Sequence, residues 1–161
     1  MFLVEKSGTT PTVHVEGTVN GQVTVASSGH IKVTGNLLLA DNPLTNPASD
    51  DMAGLCAAKN IIVTNNSLDA SRTIQATCMT MNTTVSSTTN FYVENYSTTR
   101  YGTLSLLGGL IQRGRGAVGT VGTATTRKGY IKDYVWDSRL QDIAPPYFPM
   151  LFVLRKISWY D

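Results

Sequence analysis

Apolar and polar residues alternate over most of this chain. Val13-His-Val-Glu-Gly-Thr-Val returns as Ile31-Lys-Val-Thr-Gly-Asn-Leu, and Leu104-Ser-Leu-Leu-Gly-Gly-Leu gives the pattern a third time. In each copy apolar residues fall at i, i+2 and i+6, with glycine at i+4. A period of two is the signature of a strand with one dry face. The glycine then permits a change of direction that a Cβ would obstruct. Gly21-Gln-Val-Thr-Val, Gly54-Leu-Cys-Ala-Ala, Ile61-Ile-Val63, Ile74-Gln-Ala-Thr-Cys78-Met79 and Phe91-Tyr-Val93 continue the series of short strands. Asp41 to Asp51, with its two prolines, reads as a surface loop. The hydroxyl-rich stretch 82–90 reads as a solvent-facing strand or a loop.

Short strands with recurring glycine corners predict an all-β fold, a single-stranded parallel β-helix (β-solenoid) in which each coil buries its inward residues against its neighbour. One domain spans residues 1–161, with coils over about 13–126, a C-terminal aromatic and proline-rich cap at 127–149 and a closing strand at 150–161. Pro145-Pro146-Tyr147-Phe148-Pro149 stops the chain from continuing any regular element. An antiparallel sandwich is the competing arrangement.

Composition narrows the class. At 161 residues, 15% charged and 42% hydrophobic, the chain has the composition of a folded β protein with hydroxyl and amide side chains outside. No window reaches the ~18–20 apolar residues of a membrane helix, so the chain itself is not expected to insert in a membrane. The first residues show no signal-peptide pattern.

The net charge of +2 is uneven. Residues 1–99 hold four basic and seven acidic side chains, a net of −3, while residues 100–161 hold nine and four, a net of +5. The basic part includes Arg113, Arg115, Arg127, Lys128 and Lys132, with Tyr130, Tyr134 and Trp136 among them. Arginine neutralises phosphates and aromatic rings stack on bases, so these five are the candidate contact for a polyanion such as DNA or a polysaccharide. The alternative is that they cap carbonyls and form ion pairs.

Catalytic and metal chemistry find less to work with. Asp133, Asp137 and Asp142 are candidates for the clustered carboxylates of a carbohydrate-active β-helix enzyme, a polysaccharide lyase or hydrolase. They alternate with Lys132 and Arg139, which favours structural ion pairs. His14 and His30 lack the spacing of a zinc site, no GxSxG elbow occurs, and Gly116–Thr123 lacks the GK[ST] ending of a phosphate loop. No cofactor is implied. Cys56 and Cys78, separated by close to one coil of chain, form either a disulfide between adjacent coils or a pair of buried thiols.

Several blocks together resemble a known family. They are Gly54-Leu-Cys-Ala with Lys59-Asn-Ile-Ile-Val, Ile74-x-Ala76, Gly108-Gly-Leu-Ile-Gln112, Arg115-Gly-Ala-Val-Gly-Thr120, Gly129-Tyr-x-Lys-Asp-Tyr134, Asp137-x-Arg139-Leu140 and Pro145-Pro-Tyr-Phe-Pro149. Over about residues 13–149 the chain is similar to the solenoid region of bacterial type IV pilin-like and minor pilin surface proteins, a largely uncharacterised family. The prepilin helix that anchors such proteins has no counterpart here. The resemblance implies a non-catalytic, extracellular or cell-surface module, structural or adhesive, whose partners are other pilus or cell-surface components. It carries over no catalytic residues.

Overall fold

The structure is a computed structural model that describes residues 2–4, 10–81 and 90–149. The closing strand expected at 150–161 and most of the hydroxyl-rich stretch 82–90 lie outside the described residues. The described residues form twelve strands: β1 (Phe2–Val4), β2 (Thr12–Val19), β3 (Gln22–Ser27), β4 (His30–Leu39), β5 (Met52–Ala57), β6 (Ile61–Val63), β7 (Arg72–Gln75), β8 (Thr77–Thr80), β9 (Phe91–Val93), β10 (Arg100–Gly108), β11 (Leu110–Ile111) and β12 (Gly129–Trp136). A 3-10 turn, Ser138–Gln141, follows β12.

The strands divide between two sheets, and every named pair is parallel. The smaller sheet runs β1-β3-β5-β8-β11; the larger runs β12-β10-β7-β4-β6-β9, with β2 also on β4. This corrects the single-stranded β-helix expected from the sequence. The chain alternates between two sheets, β4 carries three partners (β2, β6 and β7), and one of the sheets is nearly barrel-shaped. The physical reason is the length of β4. It is long enough for its first half to hold β6 through Ile31↔Ile61, while Leu37 holds β7 at Ile74.

Part of the internal repeat is visible in the register. Val13 pairs with Ile31 and Val15 with Val33, the offset the repeat predicts. Between Val15 and Gly17 the register shifts, so Gly17 faces Leu37 and Val19 faces Leu39 rather than Leu37. Gly17 takes a φ of +112° there, a left-handed conformation that favours glycine. A longer offset is commoner, and one spacing serves Val25↔Leu55, Ile31↔Ile61 and Ile61↔Phe91 alike. Ile31, Ile61 and Phe91, with Val33, Val63 and Val93, are essentially fully buried in one core between the sheets. Each such side chain contributes about 1.5–3 kcal/mol by leaving water.

A polar ladder runs beside that core at the same interval. The Asn60 N–H donates to His30 Nδ1 at 3.3 Å, and the Asn90 N–H to Asn60 Oδ1 at 3.0 Å. Burial, with Lys59 and Lys32 nearby, holds the His30 imidazole below its ordinary value, which keeps Nδ1 an acceptor.

The segment expected to cap the fold is instead divided among several roles. β12 is an edge strand of the larger sheet, where Lys132 pairs with Leu104 and Tyr134 with Leu106. Trp136, within the aromatic segment expected as the cap, is 54% exposed. Tyr130 is buried, its ring 4.7 Å from that of Tyr101. Phe148 turns back to pack with Ala26 and Cys56 in a second, smaller cluster.

Candidate anion-binding groove

Past β11 the chain runs Gln112-Arg113-Gly114-Arg115-Gly116 across the end of the core. Two glycines make that passage tight. A Cβ on Gly116 would lie 2.0 Å from the Phe91 carbonyl oxygen, a contact only glycine avoids. Gln112 fastens the segment by accepting the Phe91 N–H at 2.9 Å, and the Ala117 carbonyl accepts the Val93 N–H at 3.0 Å. β12 flanks this segment, because the Tyr130 N–H donates to the Val118 carbonyl at 3.0 Å.

Between them lies a groove of about 430 Å³, floored by Phe91, Leu110 and Val118 and rimmed by Arg113, Arg115, Lys132 and Tyr134. Arg113, Arg115 and Lys132 are exposed. The Lys132 ammonium sits 6.0 Å from the centre of the Tyr134 ring. Burial and the nearby Arg115 guanidinium hold that ammonium below its ordinary value. Burial pushes the Tyr134 phenol up to about 12. The groove therefore presents concentrated positive charge beside a neutral aromatic ring. It can hold an anion and present a ring to a base or sugar.

The structure separates the five basic residues predicted to act together. Arg113, Arg115 and Lys132 share the groove. Arg127 instead donates through Nη1 to the carbonyls of Tyr101 and Gly129, both at 3.2 Å, so it secures the start of β12. Lys128 is tied through its backbone to Thr120, whose Oγ1 accepts its N–H at 2.8 Å. Phe91 and Gln112 are groove residues that pattern analysis of the basic segment missed. The regular interval from Ile31 through Ile61 to Phe91 is the signal that finds the floor.

The carboxylates do not converge. Asp137 accepts Arg139 Nη2 at 2.7 Å and caps the 3-10 turn, accepting the Arg139 N–H at 3.1 Å. Asp133 accepts the Ser105 hydroxyl at 3.2 Å on β10, and Asp142 ends the 3-10 turn. Arg139 also donates to the carbonyls of Ser49 and Asp51, so its guanidinium joins the 41–51 loop to the end of β12. The Asp51 carboxylate in turn accepts the N–H groups of Gly21 and Asp41. No group of three metal-ligating side chains occurs among the described residues, His14 and His30 included.

Cys56 and Cys78 are both free and buried. Leu55 pairs with Cys78 and Cys56 with Met79. That slip of a single position sends the two thiols to opposite faces of the smaller sheet, Cys78 into the main core and Cys56 into the Phe148 cluster. Of the two arrangements open from the sequence, the structure has the buried thiols.

No family model matches the chain, nor does any curated protein or solved structure.

Proposed function

We propose that this chain is a non-catalytic binding module that takes an anionic polymer in the groove rimmed by Arg113, Arg115 and Lys132. The observation that carries the reading is the meeting of three cations and Tyr134 over one apolar floor. Phosphates or sulfates along a flexible strand would meet the cations while a base or sugar ring lies against Tyr134. An exported structural or adhesive role at a pilus-like surface is part of the proposal. It rests on the resemblance of the 54–149 blocks to pilin-like proteins.

Fluorescence anisotropy with labelled single-stranded DNA, and separately with a sulfated polysaccharide, tests the reading across a salt series. If three cations each neutralise one phosphate, log K should fall against log salt with a slope of about −2 for single strands. Arg113→Ala with Arg115→Ala should weaken binding about tenfold or more and flatten that slope. Absence of binding to both polymers at low salt, or binding indifferent to the double substitution, removes the proposal.

A further inference from the structure

The two ends of the molecule are complementary, and we propose that a second copy of this chain docks on them head to tail. At one end the outermost strands are β1, on β3 in the smaller sheet, and β2, on β4 in the larger. At the other end the outermost strands are β11, on β8 in the smaller sheet, and β12, on β10 in the larger. Among the described residues β2 pairs with β4 alone, and β12, whose first residues are held on the outer side by Val118 to Thr120, has no strand beyond its Ile131–Trp136 part. Set end to end in the same direction, β12 of one copy lies beside β2 of the next, and β1 of the next lies beside β11. Both sheets would then run on from one copy into the next.

Register, chemistry and charge agree with this fit. The named strand pairs are all parallel, so both added pairs would continue the sheets in the same sense. β2 and β12 are equal in length. The Asp137 N–H reaches the Gly108 carbonyl on β10 while the Tyr130 N–H reaches Val118 on the other side. Backbone alternation then points the N–H groups of Lys132, Tyr134 and Trp136 away from β10. On β2 the carbonyls of Pro11 and Val19 face β4, which leaves the N–H groups of His14 and Glu16 along the free edge.

β1 exposes Phe2 at 67%, Leu3 at 54% and Val4 at 39%. Beside β11 lies an apolar groove of about 430 Å³, lined in part by Leu110, Ile111, Trp136, Leu140, Pro145 and Phe148, which would receive them. Glu16 is exposed on β2 at one end, and Arg115 and Lys132 are exposed at the other. An exposed edge of this kind is a template for strand addition. A contact between unlike surfaces does not close on itself, so assemblies should lengthen with concentration. Lys132 and Tyr134 belong to both the anion groove and this end, so a polyanion should compete with assembly.

Sedimentation velocity on the full chain tests the proposal with two edge variants. His14→Pro removes a free-edge donor on β2, and Trp136→Pro removes one on β12 outside the anion groove. Wild type should grow in mass with concentration. Each variant alone should stay monomeric, because every copy then lacks one of the two edges. Mixed in equal amounts they should form a one-to-one dimer and nothing larger, since one intact edge of each kind remains. Circular dichroism checks that both fold. Phe2→Lys and Ile111→Lys, at exposed positions of the smaller sheet, form a second pair with the same logic. A wild type monomeric at every concentration, a closed dimer that stops growing, or a variant mixture that stays monomeric overturns the inference.

Discussion

A slip of one position in parallel register separates Cys56 from Cys78. Because side chains alternate faces, that slip moves a thiol from one side of a sheet to the other. Burial pushes both thiols up to about 12, so neither is a nucleophile near neutrality. A thiol-reactive maleimide at pH 8 should leave both unmodified in the folded protein and label both in denaturant, read as a mass increase. A mild oxidant should not join them, and a recovered Cys56–Cys78 disulfide in native protein would contradict the register. The spacing in sequence suggests adjacency and comes close, since the partner of Cys78 is Leu55, the immediate neighbour of Cys56. Spacing cannot resolve a single position, and here a single position decides the chemistry. Glycine was the more legible residue. Gly108 takes a φ of +146°, and a Cβ there would meet the Ala76 carbonyl oxygen at 2.3 Å, so the chain leaves β10 at a point closed to other residues.

At the scale of the element, β12 and the turn after it are held by Arg139. Its guanidinium joins Asp137 to the carbonyls of Ser49 and Asp51, which are remote from it in sequence. Arg139→Ala leaves those partners short of donors and should cost about 1–3 kcal/mol, seen as a lowered denaturant midpoint with an unchanged slope. Burial raises the Asp137 carboxyl, but the Arg139 side chain, its N–H and its charge outweigh that and hold the group below the usual carboxylate range. A depressed carboxyl stabilises the fold above its unfolded value of 3.8 and loses that contribution as pH falls through the folded value. Acid unfolding below about pH 4 should therefore be less steep in Asp137→Asn than in wild type. The pairing of Asp137 with Arg139 was readable from their proximity in sequence. The role of β12 was not. Its aromatic residues suggest burial, yet the strand stands at a sheet edge where Trp136 faces solvent.

Across the whole molecule the interval from Ile31 to Ile61, repeated from Ile61 to Phe91, organises the core. His30-Ile-Lys-Val33, Asn60-Ile-Ile-Val63 and Asn90-Phe-Tyr-Val93 are successive layers, each with a polar residue on the ladder and two apolar residues inside. Ile61 is fully buried between Ile31 above and Phe91 below. Ile61→Ala should cost about 2–5 kcal/mol and lower the thermal midpoint of the whole molecule, because the core is continuous. An independent transition confined to one layer would show that the layers fold separately. The same stacking brings Phe91 under Arg113 and Arg115, making a groove of residues remote in sequence.

The sequence by itself determined that the chain is rich in strands, where several of them lie, and that its positive charge collects toward one end. These are properties of period two, of glycine and of composition, all local. Only the tertiary structure decided how the strands share two sheets, which basic residues meet, and which faces Cys56 and Cys78 occupy. Those outcomes depend on registers between strands well separated along the chain, such as Val13↔Ile31 and Leu104↔Arg72. Local pattern is nearly indifferent to such registers, whereas packing of the core is not.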